Sequence, residues 1–290
     1  MRDGENLTHR IVVTDQELAE YTKCALRHLY RFRYGIEPKT DNRVEMHLAS
    51  LRDSLLFFFQ KLSDRKAVQL AEVIDAYDRA LKPRLDECGE SIDAMGDLMA
   101  SGRILLKRHF DDKTPEVVYL GTNVPYEREI GRAETHIIVI KGTIDALRVT
   151  KDRQARRRTI DCVRISLSPK HPSLMERANS IEIITDRLGL GMLEVLSKNR
   201  MVTPRSIWYS IQHDVELETP VSGQDLKISL GWVANIAFAI HHRIYYPQYE
   251  YARCGACPYR RGCDPKYGSK ENLNAPGNLS DTLRKEMELD

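Results

Sequence analysis

The chain of 290 residues carries 44 Lys and Arg against 42 Asp and Glu, a formal charge of +2, and 42% of its residues are hydrophobic. That composition excludes a disordered chain, which could not bury enough apolar surface, and it excludes bulk basicity as a sign of nucleic-acid binding, so any such contact must rest on local clusters. The opening MRDGENLTHR lacks the apolar run of a signal peptide and no stretch approaches the ~18 apolar residues of a membrane span, so an intracellular, cytoplasmic protein with no membrane partner is expected.

In VTDQELAEYTKCALRHLYRF, Thr14 and Glu17 are spaced as a capping box, and Leu18, Tyr21, Ala25, Leu29 and Phe32 recur at helical intervals. This predicts a first helix from about Asp15 to Arg33. After Gly35 and Pro38, the spacing of His47, Leu48, Leu51, Leu55, Phe58 and Leu62 predicts a second amphipathic helix, in which LFFFQKL is core. Two further helices are expected around residues 64 to 82 and 90 to 109. From about Pro115 the pattern changes to β-branched segments, EVVYLGTNVPYEREIG, THIIVIKGTIDALRVT and RRRTIDCVRISL, which read as a meander of strands. Helical spacing returns from about Ser173 to Asn199, RSIWYSIQ reads as a strand, and GQDLKISLGWVANIAFAIHHRIYY as a final helix. The order implies one α/β unit: an N-terminal helix over 1–40, a helical region over 41–114, a core over 115–246, a cysteine-rich loop over 247–268 and a charged tail over 269–290.

Six cysteines in a reducing compartment point to metal ligation where they cluster. Cys254, Cys257 and Cys263 in CGACPYRRGCDP form such a cluster, and soft thiolates suit zinc or an iron-sulfur centre, each of which takes a fourth ligand. The candidates are Cys24, Cys88, Cys162, His241 and His242. Cys24 would staple the first helix to the C-terminal loop, whereas Cys88 and Cys162 read as small buried hydrophobes.

One cysteine in ELAEYTKCALRHLYRF and three in a C-terminal CxxCxxxxxC followed closely by proline resemble the iron-sulfur members of the PD-(D/E)XK nuclease superfamily, including RecB-like and AddB-like nuclease domains and CRISPR-associated RecB-like exonucleases. The resemblance spans nearly the whole chain. It implies a restriction-endonuclease-like core of a small mixed sheet flanked by helices, with a helical N-terminal insertion, and a 4Fe-4S cluster (zinc as the alternative) on Cys24, Cys254, Cys257 and Cys263. It also implies a catalytic metal site of His47 in VEMHLASL, Asp145 in KGTIDAL and Asp161 in TIDCVRI, binding Mg or Mn if the site is active. Carboxylates suit these hard ions, whose bound water becomes the nucleophile. Taken singly, His47 also reads as a structural histidine and Asp145 as a strand-end acid.

The chain departs from the family where the motif lysine should stand, because Val163 occupies it. Strand parity puts Asp161 and Val163 on one face and Arg164 on the other, so Arg164 is no direct substitute. NSIEIITDRLGL also lacks the glutamine and tyrosine that the family places on the following helix. Lys141, four residues before Asp145, could lend an ammonium from the neighbouring strand, or could be a solvent-facing strand end. The resemblance therefore implies a degraded nuclease serving as a scaffold in a DNA-processing complex or virus particle, since relatives are frequent in phages. The alternative is a working metal-dependent DNA exonuclease with a relocated lysine. Arg153, Arg156, Arg157 and Arg158 at a hairpin tip, with Arg260 and Arg261 beside the cysteines, are candidate phosphate contacts, although solvated charge or an acidic protein partner would account for them equally.

Overall fold

A computed structural model describes residues 9–36, 43–111, 117–133, 136–152, 157–167, 180–190, 202–219 and 223–245, together with Ser173, Arg177, Cys254, Cys257 and Tyr259. Thr14 closes strand β1 (His9–Thr14) and caps helix α1 (Asp15–Lys23). The Glu17 amide donates to Thr14 Oγ1 at 3.1 Å and the Thr14 amide to Glu17 Oε2 at 2.8 Å, so the expected capping box is present. The expected single helix over 15–33 is broken at Cys24, which is extended (φ −171°, ψ 127°). Helix α2 (Ala25–His28) and a π-helical turn (Leu29–Arg33) follow. Only one residue leaves helical geometry, because the Cys24 amide still reaches the Glu20 carbonyl and its own carbonyl accepts from His28.

Helices α3 (Arg43–Ser63), α4 (Leu70–Cys88) and α5 (Gly96–Asp111) form one layer. Helix α4 lies six residues later than expected at both ends: the reciprocal Gln69–Glu72 cap sets its start, and Gly89 at φ 69° ends it. Pro83 does not stop it, since Tyr77, Leu81 and Leu85 bury one continuous stripe through that point. Helix α5 crosses at Gly102, where a Cβ would stand 2.8 Å from His47 Cε1 and 3.1 Å from Leu51 Cδ2. Gly102→Ala should gain about 1 kcal/mol of helix propensity but lose about 2–3 kcal/mol to overpacking, because the His47 ring is held by a 2.7 Å bond to Tyr77. The expected result is a lower urea midpoint; a rise would show that α5 can shift away freely.

Strands β2 (Val117–Ala133), β3 (His136–Asp152), β4 (Arg157–Ser166), β5 (Val202–Ser210) and β6 (Val215–Thr219) complete a mixed six-stranded sheet with β1. Strands β1 and β6 add to the expected meander. Helices α1, α6 (Ile181–Leu190) and α7 (Gly223–His241) cover one face around Ile138, Ile140, Ile160 and Leu188, and α3 to α5 cover the other around Leu51, Leu55, Val163 and Ile207. The chain is therefore α/β, with helices on both faces of its sheet. Among the described residues no helix is long and apolar enough to cross a membrane.

The order is β1-β3-β4-β5-β6, with β2 along the other edge of β3. Strand β1 pairs with β3 in parallel as far as Lys141, and β4 pairs antiparallel from Ala146 onward. Residues 142 to 145 lie in the fork between those two neighbours, where the backbone has no strand partner on that edge.

Candidate functional site

Side chains satisfy the fork. Thr143 donates its amide to Asp15 Oδ2 and accepts from Arg164 Nη2, each at 3.3 Å, while Asp145 Oδ2 accepts the Ile165 amide at 2.7 Å. Asp145, 1% exposed, therefore fills the gap between β3 and β4 as a surrogate backbone acceptor. Its Oδ1 takes Arg52 Nη2 of α3 at 2.5 Å, with Arg164 Nη1 at 3.9 Å. Arg164 is clamped to Asp186 of α6 through Nε at 2.8 Å and through Nη2, and lies 3.5 Å from Asp15. Burial pushes the Asp186 carboxyl up to about 7 despite that guanidinium, with Asp145 and Asp15 adding to the rise.

Asp161 lies on the opposite side, facing α3 to α5, and is fully buried. Its cross-strand neighbours are Arg148 on β3 and Arg205 on β5. Arg205 Nε and Nη2 grip its two oxygens at 2.8 and 3.0 Å, Arg148 Nε lies at 3.1 Å, and Thr150 and Thr159 donate at 2.8 and 3.1 Å. Burial opposes ionisation of Asp161, but the Arg205 hydrogen bonds and the Arg148 charge outweigh it and hold the carboxyl below its ordinary range. Arg148 continues into a bidentate pair with Glu216, with Nη1–Oε1 at 2.7 Å and Nη2–Oε2 at 2.5 Å. Both arginines line a cleft of about 810 Å³ between α3 and the sheet, where Phe59 stacks on Tyr119 at 4.4 Å.

The remaining expected site residues are dispersed. His47 is buried on α3 against Tyr77 and Gly102, and burial lowers its proton affinity. Lys141 is half exposed and lies 2.9 Å from Glu127 of β2. Val163 shares the face of Asp161, as parity requires, and is 2% exposed within the core beneath α3 to α5. Arg164 points to the other face. Among the described residues, no three His, Cys, Asp or Glu side chains are gathered as a metal ion requires, so His47, Asp145 and Asp161 are not brought together. The residues the sequence reading missed are their partners, Arg52, Arg148, Arg205 and Asp186.

Of the expected cluster ligands, Cys24, Cys254 and Cys257 are among the described residues. Tyr259 stacks on Tyr30 with ring centroids 5.5 Å apart, and its hydroxyl donates to the Ile36 carbonyl at 3.0 Å, so Tyr259 lies on the segment after α2. Burial raises the Cys257 thiol; the Tyr259 amide on its sulfur and the Arg27 cation oppose that, and Cys24 and Cys254 add to it. The Cys257 thiol thus feels both Cys24 and Cys254, beside a hydrogen bond and a cation of the kind that suit a thiolate. Cys162 is buried beside Asp186 and Cys88 packs at the end of α4, as small hydrophobes do. Cys263, Arg153, Arg156, Arg260, Arg261 and the Arg157 side chain lie outside the described residues, while Arg158 is exposed at the start of β4. No protein-family model and no curated protein matches the chain.

Proposed function

We propose that this is an iron-sulfur protein of PD-(D/E)XK fold with an inactive nuclease site, acting as a structural or DNA-associated component of a nucleoprotein or phage assembly. The observation that carries the reading is that arginines hold both candidate metal carboxylates, Asp145 through Arg52 and Asp161 through Arg148 and Arg205. A guanidinium does not lose its charge at any working pH. A divalent ion about 4 Å from one such group is opposed by roughly 8 kcal/mol at an effective dielectric constant near 20. With Val163 in the lysine slot, the site also lacks the ammonium that would position a nucleophilic water.

Two surface features support a binding role. Lys151 and Arg158 are exposed at the β3–β4 hairpin, where they can meet phosphates. Ile228 and Trp232, one turn apart on α7, are 67% and 41% exposed, apolar surface of the sort that protein partners cover. Cys24, Cys254 and Cys257, with Cys263, would hold the 4Fe-4S cluster or zinc, and the bound group would supply a crosslink between the two ends of the chain.

Labelled single- and double-stranded DNA incubated with manganese tests the nuclease part. The expected result is no cleavage above the metal-only control. Cleavage that disappears in Asp161→Asn and Asp145→Asn would establish the exonuclease reading instead.

A further inference from the structure

Four imidazoles and a guanidinium gather at the end of the sheet where β1 and β3 begin. His9 opens β1, His136 opens β3, and the two pair directly in parallel register. Strand residues alternate between faces, so both stand on the side where Ile11 and Ile138 are buried under α7. Helix α7 ends at His241, and His242 follows. Ring centroids are 5.6 Å apart for His9 and His136, 5.4 Å for His136 and His241, and 5.0 Å for His241 and His242. Among the described residues His9 has ring contact with His136 alone, so the imidazoles form a row and do not surround a point.

Arg33, exposed on the turn after α2, donates its Nε to the Tyr245 hydroxyl at 3.2 Å, and the Tyr21 hydroxyl donates to the Ile244 carbonyl at 2.5 Å. These bonds hold the guanidinium beside the end of α7. The charges that bear most on His241 are those of His242, His136, Arg33 and His9, from α7, β3, the turn and β1, and every one is a cation when charged. Desolvation first, and then those cations, lower the proton affinity of His241. Among the described residues no carboxylate pairs with His9, His241, His242 or Arg33. An anion laid along the row would supply that counter-charge and raise the proton affinity again. The last turn of α7 opposes an anion little, because the Phe238, Ala239 and Ile240 carbonyls accept from the His242, Ile244 and Arg243 amides at 2.9, 2.9 and 3.2 Å.

Resting on the DNA-associated reading above, we propose that His9, His136, His241, His242 and Arg33 form a contact surface for the phosphate backbone of a nucleic acid, one that grips more tightly in mild acid. A row suits a backbone, which carries one phosphate per about 3.4 Å of axis on each strand. Charged imidazoles donate to phosphate oxygens at about 2.7–2.9 Å, and such contacts position a strand without reading its bases. The row lies at the opposite end of β3 from Lys151 and Arg158, so the two surfaces can be tested apart.

Fluorescence anisotropy of a labelled mixed-sequence DNA oligonucleotide, read at pH 6 and pH 8 across a salt series, tests the surface on the full chain. The expected result is binding about 10-fold or more tighter at pH 6, since the ordinary histidine pKa of about 6.5 lies between the two. His241→Asn combined with His242→Asn, both exposed positions, should remove most of that pH dependence and reduce the salt slope by about one to two phosphate contacts. His9→Asn, on another element, should do so in part, and Lys151→Gln should weaken binding by one factor at both pH values. Each variant is checked for an unchanged circular dichroism spectrum. Binding that is equal at the two pH values, or that keeps its pH dependence in the histidine variants, would overturn the row while leaving the DNA-associated reading in place. No binding at either pH would sink both. Inorganic phosphate that displaces the DNA at micromolar concentration, where chloride does not, would make the row a free-anion site and overturn the backbone assignment.

Discussion

Arg164→Met is expected to cost about 3–5 kcal/mol of folding stability at pH 8, the usual loss when one partner of a buried ion pair is removed, and to return part of it in acid. The side chain has three carboxylates around it, Asp186, Asp145 and Asp15, all buried. Methionine fills much of the volume and leaves those groups without their shared cation. Asp186 then has the strongest reason to take up a proton. Its carboxyl already titrates at about 7 against an ordinary 3.8, so between those values the folded chain binds more protons than the unfolded one. Its contribution to stability is full below about pH 4 and is lost as pH rises to about 7. Removing Arg164 carries the upper limit of that window higher, and the variant should recover on acidification. Urea unfolding at pH 5.5 and pH 8 measures both effects; an equal loss at the two pH values would refute the assignment of Asp186 as the stranded group.

Asp161 has the opposite slope. Its carboxyl lies below the ordinary 3.8 in the folded chain, so it stabilises above that value and loses its contribution as pH falls through the folded pKa. Two acids on adjacent elements thus respond to acid with opposite sign, for one physical reason: Asp186 meets one guanidinium under full burial, and Asp161 meets two with two hydroxyls. A nuclease reading treats the motif acids as equivalent metal ligands. Their surroundings here instead hold both in ion pairs: Asp145 bridges Arg52 of α3 and the Arg164–Asp186 pair, while Asp161 lies between Arg148 and Arg205.

Much of this frame was legible in the sequence. His47, Leu48, Leu51, Leu55 and Phe58 are buried on α3 at the spacing read from the chain, and the period of two placed Asp161 with Val163 and against Arg164. The break at Cys24 was not legible, because Leu18, Tyr21, Ala25 and Phe32 keep helical spacing straight through it. Strand β1 was hidden by its brevity beside a strong capping signal, and VELET has no flanking apolar run to mark β6. The arginine partners were harder still, since Arg52 and Arg205 come from elements 93 and 44 residues away in the chain from the acids they hold. Arg148 had a usable signal. Pairing the β3–β4 hairpin from its tip places it opposite Asp161, and a buried acid facing an arginine is a salt bridge before it is a metal ligand. Asp186 had one too, as a lone acid on a helix turn between Ile183, Ile184 and Leu188.

Cys24→Ala and Cys257→Ala should each yield protein that is insoluble or quickly cut by protease near the C-terminal loop. The reason lies in what holds Cys257 and Tyr259 in place. Among the described residues, their apolar contact is a satellite cluster of two buried residues, Tyr30 and Tyr259, with Leu26, Tyr34, Ile36 and Cys257 partly buried around them. That cluster is separate from the two large cores on the faces of the sheet. One stacked tyrosine pair adds on the order of 1 kcal/mol beyond its burial, too little to order a segment whose tether to Ile36 spans 223 residues of chain. A structural metal centre can supply about 10–16 kcal/mol of folding free energy, which is the scale required. Removing one thiolate should therefore release the loop while the sheet stays folded, so that far-ultraviolet circular dichroism changes little and proteolysis changes greatly. Iron, sulfide and zinc analysis of the wild-type protein tests for the proposed centre. Variants that keep a full complement of metal and resist protease as the parent does would mean that the break at Cys24 has some purpose other than turning a ligand toward Cys254 and Cys257.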